Sequence, residues 1–313
     1  MARQIPCGIA IPQTFDGPSA AVLDLNRFLP RAEALGFDSL WVQEQIVSDS
    51  AILEPVALLT YAAALTSRMR LGSAVLLTVI RNPVQLAKEL ATLDQLSQGR
   101  LIAGVGVGGA YLPERVFGVP TEHRGRRFVE TIQVLKALWT QPRASVAGQY
   151  WNFENVPMEP KPVQRPHPPI WLAARDPMGI RRAVRHGDGW MGAGSSSSSD
   201  FVQQAAQMYA ELERAGRDPA SFPMSKRVYL AVDADRARAE ARLRQWFAER
   251  YHNAEMAARV ALWGTPAQIT EALLKLIAAG ATHLLLNPVF DHAEQMEILA
   301  GEVVPHLSAK QGA

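Results

Sequence analysis

Cysteines and metal-binding spacings are scarce in this 313-residue chain. The single cysteine, Cys7, cannot form a disulfide within the chain or a Cys-x-x-Cys zinc site. The seven histidines lack the His-x-x-His and His-Glu-x-x-His spacings of metal sites. We therefore expect a cytoplasmic protein without a metal site.

Long apolar runs and an excess of one charge are also lacking. The longest uncharged apolar stretch, residues 101–110, has ten residues and four glycines, too short to span a bilayer. Residues 1–8 contain no apolar run of signal-peptide length. The 32 basic residues nearly balance the 30 acidic ones, which excludes the strongly basic surface typical of duplex-binding proteins. The expected partner is a small-molecule substrate, with neither nucleic acid nor membrane involved.

Short apolar runs alternate with helical patterns along the chain. A strand followed by a helix, repeated, predicts a parallel sheet, and eight such units close a (β/α)8 TIM barrel. The predicted strands begin near residues 5, 38, 71, 100, 170, 188, 227 and 283. The α/β fold expected is therefore one TIM-barrel domain over residues 1–313, with an insertion after the fourth strand at about residues 109–169.

Local sequence signals predict several helix starts. Asn82-Pro83 and Asp176-Pro177 each place a capping side chain before a proline at the first helical position. Residues 265–268, Thr-Pro-Ala-Gln, match a capping box.

The insertion and the loops are less regular. Residues 126–139 have helical spacing, residues 145–156 resemble a hairpin, and the proline-rich residues 157–169 predict a surface crossing. Two irregular segments, residues 109–122 and the serine-rich residues 195–199, are expected to form mobile lids.

A glycine-rich segment ends the fourth predicted strand. Residues 104–109, Gly-Val-Gly-Val-Gly-Gly, match the Gly-x-Gly-x-x-Gly pattern of dinucleotide-binding folds. That fold requires the motif after the first strand, with a helix opening there and an acidic residue ending the next strand. Here the motif follows the fourth predicted strand. Three interpretations stay open: the dinucleotide-binding fold, a strand end without a ligand, or a backbone platform that a flat cofactor can approach because β-carbons are missing.

Two other strand ends carry polar groups. Ala173, Ala174 and Arg175 run into a predicted helix that contains Gly179, where free amides and a guanidinium would bind an anion such as phosphate. The alternative is an ordinary capped helix with a solvated arginine. The other strand end is that of the second strand, where residues 44 and 45 follow at the end of the barrel that carries the chemistry in such enzymes.

Glu44 and Gln45 are the candidate catalytic residues. The Gln45 amide can donate and accept hydrogen bonds but cannot act as a general base. Glu44 can act as an acid or a base. The alternative for both residues is a polar loop with a structural role.

Several motifs, taken in order, resemble the bacterial luciferase-like family, specifically its coenzyme F420-dependent oxidoreductases. The matching stretches cover most of the chain: residues 35–44, 71–75, 81–83, 93–100, 104–108, 124–139, 168–171, 187–190 and 264–266. The resemblance implies a TIM barrel with a flavin or deazaflavin at its C-terminal mouth, and a homodimer. Where many relatives carry Glu-His or Asp-His, this chain has Glu44-Gln45.

The resemblance also implies the residues that bind the cofactor. A non-proline cis peptide in the third strand would be Ala74–Val75, beside Ser73 and behind the ring. The ring would lie against Gly106, Val107 and Gly108. The phosphate would lie at Ala173, Ala174, Arg175 and Gly179.

Three functions are compatible with these residues. The first is an F420-dependent oxidoreductase that transfers hydride between a substrate and the deazaflavin. The second is an FMN-dependent monooxygenase on the same fold. The third, given some weight by Gln45, is a cofactor-binding protein without turnover.

Overall fold

Eight parallel strands form a closed barrel in the computed structural model, which describes residues 3–109, 114–120 and 122–309. The strands are β1 (Cys7–Ala10), β2 (Ser39–Val42), β3 (Arg70–Ser73), β4 (Leu101–Gly106), β5 (Ile170–Ala173), β6 (Gly189–Gly192), β7 (Met224–Val232) and β8 (His283–Pro288). Neighbours in sequence are neighbours in the barrel, and β8 pairs with β1 to close it. The predicted TIM barrel and its eight strands are confirmed.

Ten α-helices lie among the described residues. They are α1 (Leu25–Ala34), α2 (Pro55–Leu65), α3 (Pro83–Leu96), α4 (Arg124–Thr140), α5 (Pro177–His186), α6 (Ser198–Arg214), α7 (Arg236–Tyr251), α8 (Met256–Val260), α9 (Pro266–Ala278) and α10 (His292–Ile298). The three predicted caps are present, because Asn82, Asp176 and Thr265 each accept a hydrogen bond from a backbone amide of the first turn.

One local prediction needs correction. Residues 22–35 have helical spacing, which predicts a helix from residue 22. The helix α1 begins instead at Leu25, because Asp24 has a left-handed backbone (φ 43°) that separates it from a 3-10 turn at Ala20–Leu23. Of the serine-rich residues 195–199, Ser197 is the N-cap of α6 and the next two residues belong to its first turn. Ser197 and Asp200 make a reciprocal capping box there.

The insertion after β4 contains α4 and a hairpin of Arg143–Ala147 with Asn152–Pro157, as predicted. The proline-rich crossing that follows is attached to the barrel by Gln164. Its backbone amide and side chain donate to the Asp94 carboxylate of α3 at 3.0 and 2.7 Å. Within the expected lid at residues 109–122, residues 110–113 and 121 lie outside the described residues.

One parallel strand was not predicted. Ala261–Gly264 pairs with Tyr229–Val232, the outer half of β7. This pairing is possible because β7 has nine residues and extends past the end of β6. The aromatic side chains of α7 pack over this extension, as in the Tyr229–Phe247 edge contact with ring centroids 5.2 Å apart.

Two indoles fill the barrel interior. The rings of Trp41 and Trp171 lie 5.5 Å apart and both contact His283, at 5.3 and 5.5 Å between ring centroids. Ser39 accepts a hydrogen bond from the Trp41 indole (2.8 Å) and contacts one His283 nitrogen (3.1 Å), and Ser225 contacts the other nitrogen (2.7 Å). The Trp41 indole and both His283 nitrogens therefore have polar partners within this buried layer.

Glycine makes room for the indoles. A β-carbon on Gly8 or Gly72 would lie 2.3 Å from an atom of Trp41, and one on Gly189 would lie 2.7 Å from Trp171. These distances are far shorter than van der Waals contact, so the interior requires glycine on three strands.

We predict that Gly72→Ala lowers the free energy of unfolding by about 1–3 kcal/mol, the usual cost of overpacking a core. The added methyl group meets Trp41, whose ring is held between two strands. Urea unfolding followed by circular dichroism measures this. Gly301→Ala is the matched control, because nothing lies within 4 Å of its added β-carbon. Equal stability of the two variants would contradict the packing argument.

A second prediction concerns acid stability. Burial lowers the pKa of His283 to about 3, against about 6.5 in an unfolded chain. Between these values the unfolded chain binds a proton that the folded protein does not. Stability should therefore fall as the pH drops below about 6.5, by up to about 1.4 kcal/mol per pH unit for this group. Urea unfolding between pH 7.5 and 5 measures the slope, which should be shallower in His283→Gln.

Candidate active site

The C-terminal ends of the eight strands converge on one mouth, where a cavity of about 30 Å³ opens. Barrel enzymes place their chemistry at this end. The lining comes from β1, β2, β3, β7 and β8 and the segments after them: Ala10, Ile11, Gln13, Thr14, Trp41, Val42, Gln43, Ala74, Arg227, Trp246, Leu285, Asn287, Pro288, Val289 and His292.

The segment after β3 contains a non-proline cis peptide bond, Ala74–Val75. The resemblance to the family implied a cis bond at this position. Ser73 is buried and its hydroxyl donates to the Gly104 carbonyl of β4 at 2.8 Å. The Ala74 amide donates to the Val42 carbonyl of β2 at 2.7 Å.

Three predicted cofactor-binding segments come together at the mouth. A β-carbon on Gly106 would lie 2.6 Å from the Val75 side chain and 3.6 Å from the Ala173 β-carbon. Ala10, Ala74, Val75 and Ala173 pack on the buried layer that contains the two indoles, yet remain only partly buried. With Gly106 they form a surface of small residues that we call the floor. Val107 is half-buried and Gly108 is exposed, with a left-handed backbone (φ 86°).

The predicted anion site at β5 is more ordinary than expected. The Asp176 carboxylate accepts a hydrogen bond from the Gly179 amide at 2.9 Å, so this amide is already bound. Ala174 is buried, and its carbonyl accepts from the Trp190 indole at 2.9 Å. Arg175 is exposed at the start of α5. Among the predicted phosphate ligands, Arg175 therefore remains available to an anion through its exposed positive charge.

Glu44 does not face the cavity. Its side chain is fully buried and accepts hydrogen bonds from the Leu77 amide and from Arg81, at 2.7 Å from Arg81 Nε. The arginine also pairs with Glu54 at 2.7 Å. This arrangement supports the structural alternative for Glu44 over a catalytic role. The exposed Gln45 donates to the Ser48 hydroxyl at 3.0 Å.

Arg227 was not predicted as a site residue. Its side chain crosses the mouth from β7, donating to the Ala74 carbonyl after β3 at 3.2 Å and to Gln43 after β2 at 2.6 Å. It also donates twice to Asn287 of β8, at 2.8 and 2.6 Å. The sequence feature that could have identified it is the Lys226-Arg227 pair within a largely apolar strand.

Lys226 is the other member of this pair, and it points toward a different loop. Its ammonium donates to the carbonyls of Ala193 and Ser196 after β6, at 2.6 and 2.8 Å. Burial, and then the charge of Arg227, lower the pKa of Lys226 to about 7. The side chain therefore holds the loop that leads into α6.

In the described parts of the chain no cluster of three or more histidine, cysteine, aspartate or glutamate side chains is arranged to hold a metal ion. Across the same residues, no helix combines the length and apolar character needed to cross a bilayer.

Known sequences are similar to this chain over most of its length. A family model described as luciferase-like monooxygenase matches residues 8–283. An F420-dependent glucose-6-phosphate dehydrogenase from Kineococcus radiotolerans is 29% identical over 90% of this chain and 92% of its own length.

Solved structures share the fold. An F420-dependent secondary alcohol dehydrogenase in complex with an F420–acetone adduct superposes with a TM-score of 0.84 over 97% of this chain and 99% of its own, at 20% identity. A monooxygenase from Streptomyces bottropensis superposes with a TM-score of 0.79 over 96% and 99%, at 28% identity.

We predict that Glu44→Gln lowers the free energy of unfolding by about 1–3 kcal/mol, because it leaves the half-buried Arg81 short of a partner. The loss should be moderate, since Arg81 keeps its pair with Glu54. Thermal and urea unfolding measure it. Glu271→Gln, which breaks an exposed pair with Lys275, is the control and should leave stability unchanged. A fully stable Glu44→Gln protein would contradict the structural role.

Proposed function

Because the chain belongs to the luciferase-like monooxygenase family, we propose that it is an oxidoreductase that uses the deazaflavin coenzyme F420. The observation that carries this proposal is the floor at the mouth, where Ala10, Ala74, Val75 and Ala173 from separate strand ends pack on the indole layer and remain only partly buried. The F420-dependent dehydrogenase from Kineococcus radiotolerans supports the choice of cofactor. When bound, F420 supplies the carbon that accepts or releases a hydride.

The floor suits a flat ring system. Ala10, Ala74 and Ala173 end at their β-carbons, so a ring can approach the backbone there closely. Gly106 is buried and makes room for the Val75 side chain, which forms part of the same surface. The indole layer below keeps the floor from collapsing into the barrel. In this proposal the floor positions the ring and excludes water from one of its faces.

Arg175 is the proposed ligand of the cofactor phosphate. It lies at the end of β5, next to the floor residue Ala173 and before the first turn of α5. Because Asp176 already binds the Gly179 amide, the arginine side chain is expected to carry more of the anion binding than the helix amides.

FMN is the alternative cofactor. The floor would accept a flavin as readily as a deazaflavin, since both are flat tricyclic rings, and a monooxygenase shares the fold at 28% identity. The two hypotheses differ in the reactant that meets the ring, an organic substrate in the first and dioxygen in the second. Binding without turnover remains the third hypothesis, because Gln45 cannot transfer a proton.

Titration of the purified protein with F420 and with FMN separates the cofactor hypotheses. The floor itself does not distinguish the two rings, so the expected preference rests on the F420-dependent relative. We expect saturable F420 binding and weaker FMN binding. Arg175→Ala should weaken cofactor binding by about 1–3 kcal/mol, the scale of a hydrogen bond to a charged group. Arg185→Ala, at the far end of α5, is the control. Tight FMN binding with oxygen consumption in the presence of a flavin reductase would favour the monooxygenase.

We also propose that the protein is a homodimer that associates through α2. This helix contains no charged residue, and Tyr61 exposes 43% of its surface. Beside it lies a cavity of about 440 Å³ between α2 and the segment of Ala20–Leu23 and α1. A largely apolar exposed face of this kind is typical of a surface that another protein covers.

Light scattering at micromolar concentration should therefore give twice the 34.3 kDa mass of one chain. Ala57→Asp, on the exposed face of α2, should shift the protein toward monomer because it introduces an unpaired charge into an apolar contact. Val202→Asp, on the exposed face of α6, is the control. A monomeric unmodified protein would reject the dimer.

A further inference from the structure

Arg227 is a buried cation without a carboxylate partner. It is 9% exposed, and its four hydrogen bonds go to three neutral oxygens, those of Ala74, Gln43 and Asn287. Among the described residues, no aspartate or glutamate forms an ion pair with it. A guanidinium has five N–H groups, so these four bonds leave one on Nη1 unaccounted for.

Such an arrangement is unusual, because burying an unpaired charge is costly. Lys226, beside it on β7, is also buried, but its pKa of about 7 leaves it only partly charged at pH 7. Dipoles of amides and carbonyls, and the face of the Tyr229 ring 4.7 Å from the guanidinium carbon, compensate part of the cost. An anion bound in the mouth would compensate the rest.

His292 provides an independent observation on the same cavity. Its ring lines the cavity from the start of α10. Its Nδ1 has almost no accessible surface and no hydrogen-bond partner in the parts of the chain that the structure describes, so it would reach a ligand only after the ring turns. Burial lowers the pKa of His292 to about 4, although Asp291 and the Pro288 carbonyl act to raise it. The ring is therefore neutral at pH 7. In the tautomer with the proton on Nδ1 it can donate one hydrogen bond.

The size of the cavity limits the ligand group. A cavity of about 30 Å³ holds a group of a few heavy atoms, and the rest of a ligand would extend from it into the mouth. Trp246 and Trp41 form apolar walls around it. A planar group with two oxygens, one for the cation and one for the imidazole, matches this combination of size and donors.

We propose that this cavity binds the carboxylate of an anionic substrate, with Arg227 supplying the charge and His292 Nδ1 a hydrogen bond. The inference rests on the proposed function for its meaning: the oxidoreductase would act on a small molecule whose carboxylate lies beside the floor, since Ala10 and Ala74 line the same cavity. The binding itself does not require a cofactor, so it can be tested without one.

Acetate and acetamide are the probes, because they have nearly the same shape and differ in charge. Each is titrated into the cofactor-free protein at pH 7 and constant ionic strength, with the fluorescence of Trp41 and Trp246 as the readout. We expect saturable binding of acetate and at least about tenfold weaker binding of acetamide, as for loss of a charge-assisted hydrogen bond.

Variants assign the binding to the two side chains. Arg227→Gln should weaken acetate binding at least about tenfold, and Arg227→Lys, which keeps the charge without the fork, should weaken it less. His292→Phe keeps an aromatic wall and should weaken acetate binding by about threefold to tenfold. Arg31→Gln, at an exposed pair with Glu297, should leave it unchanged. Thermal unfolding of each variant shows whether it is folded.

Several outcomes would overturn the proposal. Equal binding of acetate and acetamide by the unmodified protein would do so without any variant. Unchanged acetate binding in folded Arg227→Gln would also overturn the proposal. Unchanged binding in both single variants Arg227→Lys and His292→Phe would overturn it as well. Loss of F420 binding with acetate binding intact in Arg227→Gln would assign the arginine to the ring instead. An F420 titration of the unmodified protein distinguishes failure of the carboxylate site from failure of the proposed function. Acetate binding without F420 binding rejects only the proposed function.

Discussion

The packing of two indoles inside a closed barrel is the constraint on which the rest of the structure depends. Protein interiors are close-packed, so a side chain as large as tryptophan displaces whatever else would occupy the same layer. Trp41 and Trp171 fit because β1, β3 and β6 each present a glycine to them. His283, Ser39 and Ser225 complete the layer by binding its polar atoms.

This layer also determines the character of the mouth. The next residues along β1 and β5, and those that follow β3, are small, and they pack directly on the indoles. Bulky groups below and small groups above produce a supported surface without a deep hole. The same strands therefore provide both a rigid core and an open surface at the functional end, a division that TIM barrels use repeatedly.

The charges at the mouth are distributed unequally. The carboxylate of Glu44 is used within the protein, where it binds Arg81 and the Leu77 amide. Arg227 has only neutral partners among the described residues, and Arg175 is exposed. Positive potential with few competing carboxylates favours anionic ligands, whether the anionic group belongs to a cofactor or to a substrate.

The sequence by itself determined the parts of this protein that depend on local chemistry. Strand and helix alternation, and caps such as Asn82 that act within three residues, follow from patterns of neighbouring residues, so the barrel and the helix starts could be predicted. The meeting of residues 73–75, 106–108 and 173–175 followed from the barrel topology. Only the tertiary structure decided that Glu44 turns toward Arg81 and that Arg227 reaches Ala74, 153 positions away in the chain. Such contacts depend on which strands face each other across the barrel and on how burial is shared among them, and no local pattern carries that information.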